Sequence, residues 1–295
     1  IERINQFLPN AKIGIIQQNK VKVENYDVVI AMLQSVAMKT YERNIYESFG
    51  LTIVDECHRI SSEVFSRALP KIATKYMMGL SATLDRKDGL RKVFEWFLGP
   101  PAVCVHNTDV GEVIVNIVKF KDMEYQVASY NANGKINIAK LINLLVSSPN
   151  RMKVILEWLK KFVSEKRKIL VLSERRGHLE KIHEKISNLG FESGFYWGGM
   201  SQSKLKESES KQIILGTYHM ISEGFDLSSL DTLIFASPKS DVIQASGRIL
   251  RQGKDRPTIP TIVDIEDQTE YLKKKSKTRQ NYYKKNKFTI NFSQD

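Results

Sequence analysis

Short apolar runs alternate with amphipathic segments along most of the chain. Runs rich in Val, Ile and Leu, without polar alternation, predict strands that are buried on both faces. These runs lie at residues 12–17, 26–32, 51–55, 77–82, 168–173, 212–217, 232–237 and 261–265. Because helical patterns separate many of them, the sequence predicts an α/β fold built on parallel sheets. The runs form two series, which indicates two domains.

Two segments show the spacing of an amphipathic helix. In residues 149–165 the lysines take one face, and the other face carries Met152, Ile155, Leu156, Leu159, Phe162 and Val163. The second helix, predicted over 177–189, stops before Gly190, a residue type common just after a helix. It also carries His178 and His183, whose five-residue spacing suits no shared metal, so we expect both histidines at the surface.

The segment between the two series contains a β-like patch at 113–120 but no motif with a recognisable chemistry. We therefore interpret it as a connector. This interpretation divides the chain into a first domain at 1–101, a connector at 102–148, a second domain at 149–270 and a basic tail at 271–295.

The charge of the chain is concentrated at its end. The 295 residues carry a net charge of +12, and residues 271–295 alone contribute +7. A concentrated basic segment favours a polyanionic partner such as DNA or RNA. The equal alternative at this stage is a solvated, disordered end.

Several classes of protein are excluded by composition. No apolar run approaches the roughly 18 residues of a membrane helix, and no signal peptide opens the chain. Cys57 and Cys104 are the only cysteines and lie in no zinc-like spacing. We therefore expect an intracellular protein that binds no membrane.

Two adjacent carboxylates, Asp55 and Glu56, follow the apolar run at residues 51–54. A strand of a parallel sheet that ends in acids places them at the edge where α/β folds bind ligands. In phosphoryl transfer one such acid holds Mg²⁺ and its neighbour activates water. Taken alone, such a pair is more often an ordinary strand end followed by a polar turn.

Further polar groups close the later strands. Small hydroxyl residues, Ser81 and Thr83, lie at the end of the run at 77–82. In the second series, Thr217 ends a strand and a glycine-containing loop follows. Arg248 and Arg251 are three residues apart on a predicted helix, so both project from one side, which suits a phosphate. A surface helix with salt bridges is the alternative interpretation of that segment.

The order of these pieces resembles the motifs of superfamily 2 helicases of the DExH type. Asp55-Glu56-Cys57-His58 matches motif II, and Ser81-Ala82-Thr83 matches motif III. Motif V corresponds to Gly216–Asp226 and motif VI to Gln244–Arg251. Leu170–Arg175 lies where motif IV belongs, and Leu33-Gln34-Ser35 is similar to the motif that precedes the Asp-Glu box. The resemblance covers about residues 1–266.

Some details resemble a narrower group. Asp85–Gly89 after motif III and Arg251-Gln252-Gly253 after motif VI are similar to helicases of large cytoplasmic DNA viruses. That group includes the late-transcription, transcript-release helicases of poxviruses and their African swine fever virus counterparts. A bacteriophage or cellular repair helicase is the alternative.

The resemblance implies two RecA-like domains that use ATP with Mg²⁺. Asp55 would bind Mg²⁺, Glu56 would activate water, and Arg248 and Arg251 would reach the γ-phosphate. The remaining nucleotide-site and coupling residues would be Gly224, Asp226, His58, Gln244, Ser81 and Thr83. Contacts to the nucleic-acid strand would come from Gln34, Ser35, Ser173, Arg175 and Thr217, with an aromatic group at Phe195-Tyr196-Trp197.

One part of the family pattern is missing from this sequence. No Gly-x-x-x-x-Gly-Lys-Ser/Thr loop occurs, and only 54 residues precede Asp55. We therefore expect a first RecA-like domain that is truncated at its N-terminus. This chain alone should hydrolyse ATP poorly, because half of the phosphate site is absent.

The function expected from the resemblance is that of an ATP-dependent helicase or translocase. It would act on DNA in viral transcription, as a monomer, with transcription machinery as a possible partner, in the host cytoplasm or the virion. The alternatives are a nucleic-acid-binding module that has lost the phosphate loop, and a motor subunit of a repair or restriction system.

Overall fold

The structure is a computed structural model that divides into two compact units, residues 1–106 and 107–295. It describes residues 1–57, 63–72, 74–81, 91–104, 111–125, 130–224, 227, 229–240, 242, 245–247 and 258–294.

The described residues of the first unit form two small sheets. Its strands are β1 (Ile13–Gln17), β2 (Lys20–Lys22), β3 (Val28–Ala31), β4 (Leu51–Val54) and β5 (Tyr76–Gly79). Its helices are α1 (Glu2–Phe7), α2 (Leu33–Met38), α3 (Asn44–Glu47), α4 (Glu63–Ser66) and α5 (Arg91–Leu98), with a 3₁₀ turn at Leu69–Lys71. β1 lies between antiparallel β2 and parallel β3, and β4 pairs with β5 in parallel.

The pair β4–β5 differs from the prediction of strands buried on both faces. One face packs against Leu33, Leu69 and Leu98. On the other face Leu51 and Ile53 are more than half exposed. The reason is local: alternate side chains of a strand point to opposite faces, and the packing partners of this pair lie on one of them.

The second unit is built on a seven-stranded sheet whose pairings are all parallel among the described residues. Its strands are β6 (Ile114–Phe120), β7 (Ile169–Ser173), β8 (Ser193–Tyr196), β9 (Ile213–Thr217), β10 (Thr232–Phe235), β11 (Thr261–Asp267) and β12 (Thr289–Gln294). Its helices are α6 (Ile138–Ser147), α7 (Pro149–Ser164), α8 (Arg176–Ser187), α9 (Gln202–Ser210), α10 (Tyr218–Gly224) and α11 (Glu270–Lys285).

The strand order β12-β6-β11-β10-β7-β9-β8 places a topological switch beside β7. After β7 the chain adds β8 and β9 on one side, and it then crosses to add β10 on the other. In open α/β sheets ligands bind outside the carboxyl ends of the strands at such a switch. The ends of β7 and β10 are therefore where a site is expected in this unit.

Two parts of the predicted domain division are wrong. The predicted connector at 102–148 contains β6, which lies inside the sheet between β11 and β12. The predicted basic tail at 271–295 contains most of α11 and all of β12, which pairs with β6 from Thr289 to Gln294. The charge pattern suggested a tail because it reflects only the exposed lysines. It does not reveal the buried stripe of apolar and polar residues by which the helix packs on the sheet.

Strand β11 organises both layers of this unit. Val263 and Ile265 belong to the core that α7 and α8 cover, whereas Ile262 belongs to the opposite core with Tyr283. The carboxylates of the strand follow the same alternation. Asp267 accepts hydrogen bonds of 3.0 and 3.2 Å from Nε and Nη2 of Arg151, a buried residue of α7. Each face of β11 thus holds its helix through an ion pair as well as apolar contacts.

The opposite face of β11 anchors α11. Arg279 donates two hydrogen bonds of 2.7 Å to Asp264, and Tyr283 donates a third of 2.9 Å. Burial opposes the charge of Arg279, yet the neighbouring Asp264 carboxylate raises the pKa of the guanidinium above its ordinary value. Ser276 and Gln280 donate to Glu266 on the same face. The helix is therefore docked by groups that are buried and mutually satisfied.

The two helices predicted from periodicity are confirmed. α7 spans Pro149–Ser164 and buries Ile155, Leu159 and Phe162. α8 spans Arg176–Ser187, and Gly190 follows it with φ +80°, the left-handed conformation that glycine adopts readily. The expectation of two surface histidines on α8 is wrong for His178, which is 3% exposed.

Arg279→Met tests the buried ion pair. Removal of the guanidinium leaves Asp264 buried without its charge partner, so the free energy of unfolding should fall by about 3–5 kcal/mol. The double variant Asp264→Asn/Arg279→Met should recover part of this loss, because the amide oxygen of Asn can still accept from Tyr283.

Urea unfolding followed by circular dichroism measures both changes. Lys274→Met is the matched control, because Lys274 lies on the same helix with a side chain that is 79% exposed. Equal losses for Arg279→Met and Lys274→Met would contradict the anchoring role.

Candidate functional site

Asp55 and Glu56 lie directly beyond the end of β4. The parallel pairing of Val54 with Gly79 continues past both strands: Leu80 donates to the Val54 carbonyl and Cys57 to the Leu80 carbonyl, each at 2.9 Å. This ladder places the two carboxylate residues beside Ser81, at one edge of the β4–β5 pair. Ser81 therefore lies beside Asp55 and Glu56 at the carboxyl ends of β4 and β5.

The local backbone holds the two carboxylates in different settings. Asp55 is exposed, and its Oδ1 accepts the Glu56 N–H at 2.9 Å. Glu56 is half-buried and has φ +49°, a left-handed conformation that is uncommon for a residue with a Cβ. Mg²⁺ in nucleotide sites is typically held by one or two carboxylates together with substrate phosphates. The exposed Asp55 fits such a role.

Gly79 allows the Asp-Glu turn to lie against β5. A Cβ at this position would be 2.7 Å from a methyl group of Leu98 and 3.0 Å from Cys57 Sγ. Cys57 is buried beneath the turn. The absence of a Cβ at Gly79 therefore lets Leu98 and Cys57 pack closely against this strand end.

Helix α2 carries the two residues of the first unit that are predicted to contact the nucleic-acid strand. Gln34 is exposed, whereas Ser35 is buried and its Oγ accepts the Gln18 N–H at 3.0 Å. The Lys71 ammonium donates to the carbonyls of Val36, Ala37 and Lys39 at 2.9 to 3.0 Å. These carbonyls end the helix, so Lys71 caps it. Sequence reasoning missed Lys71, since nothing in the sequence links it to residues more than thirty positions earlier.

In the second unit, three of the residues predicted to contact the nucleic-acid strand lie together at the switch point of the sheet. Ser173 pairs with Thr217 across β7 and β9, and Arg175 follows two residues later. Glu174 lies between Ser173 and Arg175 in the sequence. Its carboxylate forms an ion pair of 2.8 Å with Lys239, and its N–H donates to Ser237 Oγ at 2.9 Å. The ends of β7, β9 and β10 are thus joined at one edge.

Ser173 itself is fully buried, which corrects the expectation that its hydroxyl contacts a nucleic acid. Its Oγ lies 3.1 Å from His178 Nδ1 and accepts the Arg175 N–H at 3.2 Å. Burial lowers the pKa of His178 to about 3, and the charges of Arg151 and Lys181 act in the same direction. A neutral imidazole below the loop therefore fixes the Ser173 hydroxyl, which fixes the backbone of Arg175.

The Arg175 side chain is oriented from another helix. Its Nε donates to Asn143 Oδ1 at 2.6 Å, and Asn143 belongs to α6. The residue is half-buried, so part of its guanidinium reaches solvent. Asn143 was missed because the sequence analysis assigned α6 to a connector.

Tyr218 and the loop after β10 complete this edge. The Tyr218 hydroxyl donates to the Ser237 carbonyl at 2.7 Å, and burial raises the pKa of the phenol well above its ordinary range. Lys239 Nζ lies 5.5 Å from the centre of the Tyr218 ring. None of these residues was singled out from sequence, since an aromatic residue and a lysine in isolation indicate no site.

The aromatic group after α8 lies at β8, an edge strand. Phe195 stacks on Trp197 at 4.2 Å between ring centres, and Tyr196 is buried in the core. The Arg176 guanidinium lies 5.8 Å from the Trp197 ring and donates to the Gly198 carbonyl. Phe195 and Trp197 pack against the core, so their contacts are accounted for without a ligand.

The other predicted site residues are not all described. His58, Thr83, Asp226, Gln244, Arg248 and Arg251 lie outside the described residues, and Gly224 is the last residue of α10. Among the described residues, no group of three or more His, Cys, Asp or Glu side chains could hold a metal ion. In that same part of the chain, no helix is long and apolar enough to cross a bilayer.

Comparison with protein families gives two matches, one within each unit. Residues 1–86 match the model of the type III restriction enzyme res subunit. Residues 150–253 match the helicase conserved C-terminal domain.

Two viral relatives extend the match over nearly the whole chain. A protein of Acanthamoeba polyphaga mimivirus, named as an ATP-dependent RNA helicase, is 36% identical over 98% of this chain and 57% of its own length. An African swine fever virus protein with the same kind of name is 27% identical over 98% of this chain and 61% of its own length. The chain thus spans about three fifths of the length of these relatives.

The fold is shared with a solved structure. Yeast Dbp5 bound to RNA and ADP BeF3 superposes with a TM-score of 0.60 at 11% identity, covering 99% of this chain and 72% of that chain. At this identity the likeness shows the fold alone.

His178 makes the stability of the second unit depend on pH. Between about pH 6.5 and pH 3 the unfolded chain binds a proton at this histidine and the folded chain does not. Stability is therefore lost as the pH falls through the unfolded value. From about pH 7 to about pH 5 the loss from this group should be about 2 kcal/mol.

His178→Asn removes the titrating group and keeps a partner for the Ser173 hydroxyl. Urea unfolding at the two pH values should then show a pH-dependent loss smaller by about 2 kcal/mol. His183→Asn, the same exchange at a half-buried position of α8, is the matched control. An unchanged pH dependence in His178→Asn would contradict the buried neutral histidine.

Proposed function

Because this chain belongs to the superfamily 2 helicases, we propose that it forms the motor of an enzyme that couples ATP hydrolysis to movement along a nucleic acid. In this proposal Asp55 holds Mg²⁺ with the nucleotide, and Glu56 accepts a proton from the attacking water. Arg248 and Arg251 contact the γ-phosphate, as the resemblance implies. The bound Mg²⁺ supplies neutralisation of phosphate charge.

The setting of Asp55 and Glu56 is the observation that supports this proposal most. The two carboxylates are adjacent in sequence but differ in exposure, and the backbone of Glu56 is held in a left-handed conformation. Such strained conformations cost of order 1–3 kcal/mol and cluster at functional sites. This difference in exposure suits the two proposed roles, Asp55 as a ligand of a solvent-accessible metal ion and Glu56 as a positioned base.

The nucleic-acid contacts are proposed for exposed or half-buried groups. Gln34 on α2 and Arg175 after β7 have side chains that reach solvent, and Thr217 is half-buried. Their hydrogen-bond donors suit phosphate oxygens. Ser35 and Ser173 are buried: the Ser173 hydroxyl positions the backbone of Arg175, and the Ser35 hydroxyl accepts the Gln18 N–H. This assignment keeps all five residues in the proposed track, but with two different roles.

The biological setting is proposed from the viral relatives. Relatives from large DNA viruses support a viral helicase, with action on DNA during transcription as the favoured role. The relatives are named as RNA helicases, so an RNA strand is the other outcome of the test below. We expect a monomer without a membrane partner, located in the host cytoplasm or the virion.

A motor subunit of a restriction or repair system is the second candidate. The match of residues 1–86 to the res subunit favours it. A binding module without ATPase activity is disfavoured, since it would have no need of both Asp55 and Glu56. ATP hydrolysis stimulated by nucleic acid is expected of both motors and not of a binding module.

Glu56→Gln tests the proposed base. In the full-length gene product, loss of the carboxylate should reduce nucleic-acid-stimulated phosphate release by about 10²–10⁴-fold, the usual contribution of a general base. Phosphate release is measured with ATP alone, with single-stranded DNA and with RNA of the same sequence. The better stimulant identifies the strand on which the motor acts.

Glu47→Gln is the control, because Glu47 is an exposed acid on α3 of the same unit. It should keep the wild-type rate. Stimulated hydrolysis that survives in Glu56→Gln would contradict the assignment, and the absence of hydrolysis in the wild-type protein would favour the binding module.

A further inference from the structure

We infer that the outer face of α11 binds the phosphate backbone of a nucleic acid, as a surface additional to the residues at the strand ends. We call this surface the lysine face, and it consists of Lys273, Lys274, Lys277, Lys284 and Lys285. The inference rests on the proposed function, because it names a further contact of the same motor with its strand.

The helical periodicity of α11 separates two stripes of different chemistry. The inward stripe is buried and consists of Leu272, Ser276, Arg279 and Tyr283. All five residues of the lysine face are exposed. At 100° per residue they fall within about 120° on the side opposite the buried stripe. The basic character therefore forms one continuous face and does not surround the helix.

Among the residues that the structure describes, the acids in contact with α11 leave the lysine face largely without charge partners. Asp264 and Glu266 point to the buried side, where they accept hydrogen bonds from Arg279, Tyr283 and Ser276. The one acid within α11 is Glu270, and its contact with Lys274 is a long, exposed pair of 3.9 Å. Exposed pairs of this kind contribute little free energy. The lysines are thus available to a polyanion.

The buried ion pair makes the lysine face rigid. Arg279 binds Asp264 through two nitrogen atoms, and β12 follows α11 into the sheet. The helix also has an N-cap, since Thr269 Oγ1 accepts the Leu272 N–H at 3.3 Å. Lysines on a docked helix are already positioned, so binding costs less conformational entropy than it would on a flexible tail.

The lysine face begins at the carboxyl-terminal edge of the seven-stranded sheet, where the other residues proposed to contact the nucleic-acid strand lie. α11 starts three residues after β11 ends, so its first turns lie where the parallel strands of this unit end. Arg279 Nη1 donates to the Lys239 carbonyl, and the Lys239 ammonium pairs with Glu174 beside Arg175. From Lys273 to Lys284 the helix rises about 16 Å, which is long enough to contact more than one phosphate of a strand.

The region matched by the helicase family model ends at residue 253, well before α11. The lysine face therefore lies outside the part of the chain that carries the shared motifs. It would add affinity that does not depend on sequence, because lysines contact phosphates as point charges.

The test compares two triple variants of the full chain. Lys273→Gln/Lys277→Gln/Lys284→Gln removes three charges from the lysine face. Lys153→Gln/Lys160→Gln/Lys185→Gln removes three charges from exposed positions of α7 and α8. Binding of a fluorescein-labelled single-stranded DNA, and of an RNA of the same sequence, is measured by anisotropy over a range of salt concentrations.

We expect the lysine-face variant to weaken binding by about 10–100-fold near 0.1 M salt. It should also reduce the slope of log K against log salt by about 2, since three contacts contribute about 0.7 each on a single strand. The control variant should change both quantities much less. Equal effects of the two variants would overturn the inference, because they would show a general charge effect.

The outcomes also separate this inference from the proposed function. If the lysine-face variant binds as tightly as the wild-type chain, the proposed role of the lysine face is overturned and the motor proposal stays intact. Absence of salt-dependent binding in the wild-type chain overturns the nucleic-acid part of the proposed function and the lysine face with it. Unfolding by urea confirms that each variant keeps the wild-type fold.

Discussion

The second unit depends on one constraint, the requirement that the buried acids of β11 be neutralised on both faces of the sheet. β11 is fully buried, yet it carries Asp264, Glu266 and Asp267. Unpaired carboxylates in such a place would cost several kcal/mol each. Arg279 of α11 and Arg151 of α7 supply the partners from opposite sides. The alternation of the strand thus specifies which helix covers which face, and it holds the C-terminal segment to the sheet.

This constraint connects stability to the proposed chemistry. Arg151 is bound to Asp267 at the end of β11. Burial, and after it the charge of Arg151, lowers the pKa of His178, which supports Ser173 and the backbone of Arg175. Arg279 reaches the Lys239 carbonyl in the loop after β10. The groups that hold the two helices are therefore the groups that shape the switch-point edge. A change in either ion pair should alter the position of Arg175 as well as the free energy of unfolding.

Much of the fold follows from local sequence patterns. Val/Ile/Leu runs correctly predicted β7, β9, β10 and β11, and the periodicity of α7 and α8 identified their buried faces. Two features could not be predicted in this way. The β-like patch at 113–120 corresponds to β6, but the place of β6 inside the sheet, and the strand β12 beside it, are decided by pairing between distant segments. Residue roles such as those of His178, Lys71 and Asn143 depend on contacts between distant segments, which a single sequence does not reveal. The motif residues were identified because the order of the motifs along the chain resembles that of a helicase family. No single motif would have been sufficient.

The docking of α11 is the central claim, and amide hydrogen exchange of the intact chain tests it most directly. The amides of Ser276 to Tyr283 should be protected nearly as strongly as those of β11, within about a factor of ten, because the buried ion pair joins helix and sheet into one cooperative unit. Exchange of these amides at close to the rate of an unstructured peptide, with β11 still protected, would show that the basic segment is a flexible tail and would contradict the account.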